Sequence, residues 1–308
     1  MNHDEVQVVF DLFAFGRALA YASTIVLIGS CVFAALIPSW RLAIDDDQSL
    51  AARSLRHTWR IAGWAPLFLL VAHAIRGYAQ AKSFLDPDPV TWESARPILF
   101  STTWGRGWLA QVGAAILALP LAWLAPRRPA IGLSLAGTAA LLVAITSPLT
   151  GHAATHPWGA TIGIGIHALH ILGAGLWLGT LTCLSWAALR PALAGDAEAV
   201  ARVVRVFSPV ALVGAGLAVT AGVLLAYAYI GDWASLFGTP YGMTLVRKTV
   251  VLGFTAGVGF WNWKRVTPRL GTPPATTSLR RSATIELLIG IGIIALTAVL
   301  VSLPAPKV

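Results

Sequence analysis

The histidines of this chain constrain its chemistry more narrowly than any other residue type. Seven occur in 308 residues, and two of them, His152 and His156, lie in the stretch GHAATH. His167 and His170 follow in the apolar run HALHILGAGLWLG. Positions three apart on a helix share a face, so these two rings point the same way. His73 sits in a second apolar run, with Arg76 one turn further along. Imidazole ligates copper, zinc, iron and nickel and is the usual axial ligand of haem. His73, His152, His156, His167 and His170 are therefore the candidate metal ligands. The competing assignment is a hydrogen bond from each ring to a neighbouring helix. It accounts easily for one intramembrane histidine, and less easily for three at one depth beneath a loop bearing two more.

Weaker candidates accompany them. Met1-Asn2-His3 has the free amine, two amides and third-position imidazole of a square-planar Cu(II) or Ni(II) chelate, although any solvated tail with His3 would fit. Cys31 and Cys183 fall inside apolar runs, so no disulfide framework is implied. As thiolates they would suit Cu(I), and as small apolar residues they would simply pack. His57 lies among basic residues at an interface. Gly175-x-x-x-Gly179 reads as a close-packing helix face, and Asn262 and Glu286 fall at similar depth on adjacent spans, where they can pair. Arg76 is placed to snorkel or to meet an anionic group.

The elements that position these residues follow from composition. Hydrophobic residues make up 56% of the chain and charged residues 11%, against roughly 25% charged in soluble domains. Apolar blocks of about 20 residues recur, each long enough to cross a bilayer. They lack the alternation of a membrane barrel, which leaves an all-α polytopic membrane protein. Eight spans are predicted: Arg17–Trp40, Trp59–Gln80, Trp104–Leu124, Pro129–Pro148, Gly159–Leu189, Val206–Tyr229, Gly242–Trp263 and Ala283–Leu303. The fifth exceeds one crossing and is expected to tilt or to protrude. The acidic N-terminal segment has no basic region and no cleavage motif, and reads as a retained tail.

The net charge of +9 is spread over short loops and does not form a patch for nucleic acid. Lys and Arg concentrate in the loops after spans one, three, five and seven, which puts those loops in the cytoplasm. Both termini and the GHAATH loop then face the periplasm. His73 comes out ~10 Å below that surface at 1.5 Å per residue, level with His167 and His170.

A repeat relates residues 1–150 to residues 151–308. Ala18-Leu19 through Ile28-Gly29 matches Ala168-Leu169 through Leu178-Gly179, and Arg53-x-x-Arg56 matches Arg202-x-x-Arg205. Phe100-x-Thr102-x-Trp104-Gly105 matches Phe237-x-Thr239-x-Tyr241-Gly242, and Thr146-x-Pro148 matches Ser302-x-Pro304. Four spans per half is an even number, so the halves are expected to be parallel repeats about an axis along the membrane normal. The histidines do not repeat: the counterparts of His167, His170 and His73 are Arg17, Ala20 and roughly Gly222.

The stretch TPYGMTLVRKTVVLGFTAGVGFWNWKRVTPRL resembles the signature of the CopD copper-resistance family in its T-x-Y-G turn, Lys248, Asn262 and Pro268. LTGHAATH, HALHILGAGLWLG and the Arg280-Arg281-x₄-Glu286 start of span eight are similar to that family too. The resemblance implies a bacterial inner-membrane protein that moves copper between periplasm and cytoplasm, beside a periplasmic copper-binding partner. It is a carrier with no assigned catalytic residue. Met1 and Met243 are the only methionines, so a methionine relay is not expected and the histidines carry more weight. No nucleotide-binding motif is present. The alternative class is a b-type haem redox protein, with two histidines as axial ligands and Arg76 facing a propionate.

Overall fold

The structure, a computed structural model, describes the backbone of residues 3–42 and 47–307, and the side chains of these except 3–11, 129, 130, 154 and 194. The side chain of His3, and with it the expected N-terminal chelate, lies outside the described residues. Among the described residues eight helices are long and apolar enough to cross a membrane. The chain is a multi-pass, all-helical membrane protein.

In chain order the spans are α1 (Leu12–Trp40), α2 (Leu50–Leu85), α4 (Thr103–Arg127), α5 (Ile131–Thr150), α6 (Ala160–Leu189), α7 (Ala197–Ile230), α9 (Pro240–Arg269) and α10 (Pro273–Ser302). Two short helices, α3 (Trp92–Ser101) and α8 (Trp233–Gly238), precede α4 and α9. Most spans run past their apolar blocks. Helix α2 starts at Leu50 and not at Trp59, because the Ser49 hydroxyl caps it by accepting from the Ala52 amide at 3.1 Å. Helix α10 starts at Pro273, where proline suits the first turn. Hydropathy marks the part of a helix that lies in lipid; caps mark its ends.

Helix α1 is central and packs against α2, α5, α6 and α10. Its tightest crossing is with α6. A Cβ on Gly29 would stand 2.1 Å from the Gly179 carbonyl carbon, and one on Gly179 would stand 2.1 Å from the Ile25 carbonyl oxygen. A Cβ on Gly175 would meet the Ile28 side chain at 2.5 Å. The Gly175-x-x-x-Gly179 face is thus a packing surface, as expected of small residues between membrane helices. Helix α6 is not uniformly α-helical: Gly175–Gly179 and Leu184–Leu189 are π-helical, which widens it locally.

The two T-x-(W/Y)-G turns fold alike. Thr102 accepts from the Gly105 amide at 2.9 Å, and Thr239 accepts from the Gly242 amide at 3.0 Å. Each glycine sits against the end of the preceding short helix: an added Cβ would come within 2.3 Å of the Leu99 carbonyl oxygen or 2.2 Å of that of Leu236. The expected polar pair is also present, with Asn262 Nδ2 donating to Glu286 Oε1 at 2.5 Å between α9 and α10.

Candidate metal pathway and its polar neighbour

The loop joining α5 to α6 turns back over the helix ends and carries His152 and His156. His152 is half-buried and His156 is buried at 4% exposure. Both rings lie near Tyr229 at the end of α7, with centroid separations of 5.9 Å for His152 and 5.2 Å for His156. His167, in the second turn of α6, completes the ring of imidazoles: its centroid is 5.9 Å from that of Tyr229, and its Nε2 is 3.0 Å from the tyrosine hydroxyl. Tyr241 closes the group at 6.5 Å from His152.

His170 lies one turn deeper. Its Nδ1 is 2.7 Å from the carbonyl oxygen of Ala218 on α7. A carbonyl has no proton to give, so Nδ1 carries the hydrogen and Nε2 keeps a bare lone pair in the neutral ring. Metal-bound histidines are commonly held this way, with the far nitrogen anchored to an acceptor. Gly222 makes room for the ring, since a Cβ there would come within 3.2 Å of His170 Cε1. Lys248 on α9 lies within electrostatic reach of both His167 and His170.

The other two rings have the opposite polarity. The Trp158 amide donates to His156 Nδ1 at 3.1 Å, which puts the hydrogen of the neutral ring on Nε2. That buried Nε2 has no hydrogen-bond partner among the described residues. His73 Nδ1 accepts from Arg76 Nη1 at 3.4 Å. Burial holds His152 below the ordinary imidazole pKa, with the Arg17 charge adding to the effect, and burial does the same for His156. Both loop rings are therefore neutral at neutral pH, and His156 offers a lone pair to a cation once Nδ1 exchanges the Trp158 amide for it.

His73 does not join His167 and His170 in one cluster. It belongs to a separate network in which Arg76 Nη1 donates to Gln111 Oε1 at 2.7 Å, and Arg76 Nη2 donates to Thr150 Oγ1. Gln111 Nε2 donates to Thr150 Oγ1 at 2.9 Å. Arg76 does not snorkel: it is 6% exposed and points inward. The sequence puts these rings at one depth, but depth says nothing of how each helix is rotated about its axis. Among the described residues no three His, Cys, Asp or Glu side chains are close enough to hold one metal ion together.

Cys31 and Cys183 are free and buried, and the Cys183 Sγ is 3.5 Å from Ser30 Oγ at the α1–α6 crossing. His57 lies half-buried near the start of α2, far along that helix from His73. Tyr229, Gln111 and Thr150 were not anticipated as members of these groups. Gln111 carried a signal, being an amide within an apolar span. Tyr229 carried none, because a tyrosine at a span end also fits an interfacial belt.

Nothing among the described residues favours a haem. The cavity beside His152 and His167 is about 20 Å³, no more than a water or two, and His73 and His170 belong to different hydrogen-bond groups.

Residues 9–161 match the family model described as Copper resistance protein D-like, N-terminal domain, and residues 201–300 match that of Copper resistance protein D. One curated relative is Copper transport protein CutJ of Bacillus subtilis (strain 168), 29% identical over 215 residues. That alignment covers 68% of this chain but 39% of the relative, so the chain spans about two fifths of the relative's length. His167 and His170 lie between the two matched segments. With both family models matched in order, the first over His73, His152 and His156 and the second over the T-x-Y-G turn, the chain belongs to the CopD copper-resistance protein family.

Proposed function

We propose that the protein carries copper ions across a bacterial inner membrane, from the periplasm towards the cytoplasm. Capture takes place at His152 and His156, and the ion passes to His167 and then His170. The observation that carries this reading is the row of four imidazoles around and beneath Tyr229, ending in a ring whose Nδ1 is anchored to the Ala218 carbonyl. Stepwise transfer between one or two imidazoles suits a carrier. Conduction needs sites that hold an ion strongly enough to admit it and weakly enough to release it. His73 is then a positioning group for Arg76. Family membership and the name of the Bacillus relative point to the same cargo. The donor in this reading is a periplasmic copper-binding protein. The test is metal analysis of the purified full-length protein after copper exposure. Bound copper that falls when His152 and His156 are replaced together by alanine is the expected result. A preparation that retains no copper above a control membrane protein would overturn the assignment.

The direction rests on the excess of Lys and Arg in alternate loops. Both native cysteines are buried, at 5% and 0% exposure, so single engineered cysteines can be labelled against a low background. In intact cells Pro240→Cys should react with an impermeant maleimide and Thr272→Cys should not. The reverse pattern would place the histidine loop in the cytoplasm and make the protein an exporter or an intracellular acceptor.

A further inference from the structure

Among the described residues, two guanidinium groups line one small cavity and no carboxylate does. The cavity is bounded by Arg17 and Tyr21 from α1, Arg76 from α2, Thr150 from α5, and His152 and His167. Arg76 donates to Gln111, Thr150 and His73, and Arg17 Nη1 donates to Ser302 Oγ at 2.6 Å. Every one of these acceptors is neutral. The ion pairs of the described residues involve Arg53, Arg56 and Lys82, and neither Arg17 nor Arg76. Arg76 is buried and Arg17 half-buried, and two such cations with no counter-charge among the described residues repel one another and lose hydration, a combination that membrane interiors rarely tolerate.

Thr150 adds a donor. Its oxygen accepts from Arg76 and from Gln111, so its own hydroxyl hydrogen is left for a third partner on the cavity side. Tyr21 offers a second hydroxyl at the same cavity. The space, about 20 Å³, accommodates an object the size of one or two waters. That admits a monoatomic anion and excludes sulfate or phosphate.

We propose that the cavity between Arg17 and Arg76 binds a single small halide anion, chloride in the cell. The anion supplies the missing negative charge and is held by guanidinium and hydroxyl hydrogens. It binds whether or not the neighbouring histidines carry copper. Where they do, it offsets a positive potential that would otherwise repel a cation from His152 and His167.

The experiment uses the full-length, copper-free protein purified in detergent into gluconate buffer. Chloride, bromide and sulfate are titrated at matched ionic strength, and the thermal unfolding midpoint is read. A ligand that binds only the folded state raises that midpoint in a saturable way. Chloride and bromide should do so and sulfate should not. Arg17→Gln should lose the halide-dependent part of the rise, and Arg76→Gln should lose it as well if it folds. An identical response to sulfate and chloride, or a full chloride response in Arg17→Gln, would show that the cavity holds only water. Neither readout involves copper, so failure of the transport proposal leaves this result standing, and the reverse also holds.

Discussion

His170→Ala is expected to abolish copper accumulation by cells that express the protein, while the amount of folded protein in the membrane stays at the parental level. The ring contributes one hydrogen bond, to a carbonyl on α7, and a typical bond of that kind is worth about 1 kcal/mol net. Its packing partner is Gly222, so little side-chain contact is lost on that side. Loss of the ring therefore costs little stability. What disappears is the last imidazole of the row, about 4.5 Å along α6 from His167, and an ion at that depth loses its ligand. The nearby Lys248 charge makes that stretch harder for a bare cation to cross, since nothing then offsets the repulsion. Accumulation is read by metal analysis of washed cells against an immunoblot of the membrane fraction. Unimpaired accumulation in His170→Ala would remove this residue from the pathway and reopen the choice of route.

The sequence carried the spans and the polar pairs well, and the site only in part. Eight apolar blocks were legible because lipid selects for them directly, and each has its counterpart among the observed helices. The Asn262–Glu286 pair was legible because adjacent spans joined by a short loop bring residues of equal depth together. The same depth arithmetic placed His73 level with His167 and went no further. Whether two rings at one depth meet depends on the rotation of each helix, which the packing of its neighbours decides. In α2 the Arg76 network turns His73 towards Gln111 and Thr150. In α6 the i, i+3 spacing did hold, since His167 and His170 both engage α7. The extra length of α6 was visible in the sequence, but its two π-helical segments were not.

That contact is where the largest effect on stability is expected. Gly179→Ala should sharply reduce the folded protein recovered from membranes. The added methyl would lie 2.1 Å from the Ile25 carbonyl oxygen and 2.8 Å from the Gly29 Cα. Both obstacles are backbone atoms, so no side chain can rotate away and α1 must separate from α6. Forced overpacking of a tight core costs roughly 1–3 kcal/mol, and a clash with a central helix that contacts four other spans belongs at the upper end or beyond. Gly257→Ala on α9 is the matched control, because a Cβ there meets nothing within 4 Å, and removal of an exposed helical glycine is neutral or mildly stabilising. Gly29→Ala should be as damaging as Gly179→Ala, for a reason that reaches into the architecture. Gly29 and Gly179 are separated by 150 positions (179 − 29), the shift at which the α1 sequence matches that of α6. We propose that each glycine meets its own counterpart because the axis relating two parallel four-helix halves passes between α1 and α6. Two residues facing one another across such an axis share one environment, so their substitutions should fail together. Normal recovery of Gly29→Ala beside loss of Gly179→Ala would break that equivalence, and with it the placement of the axis.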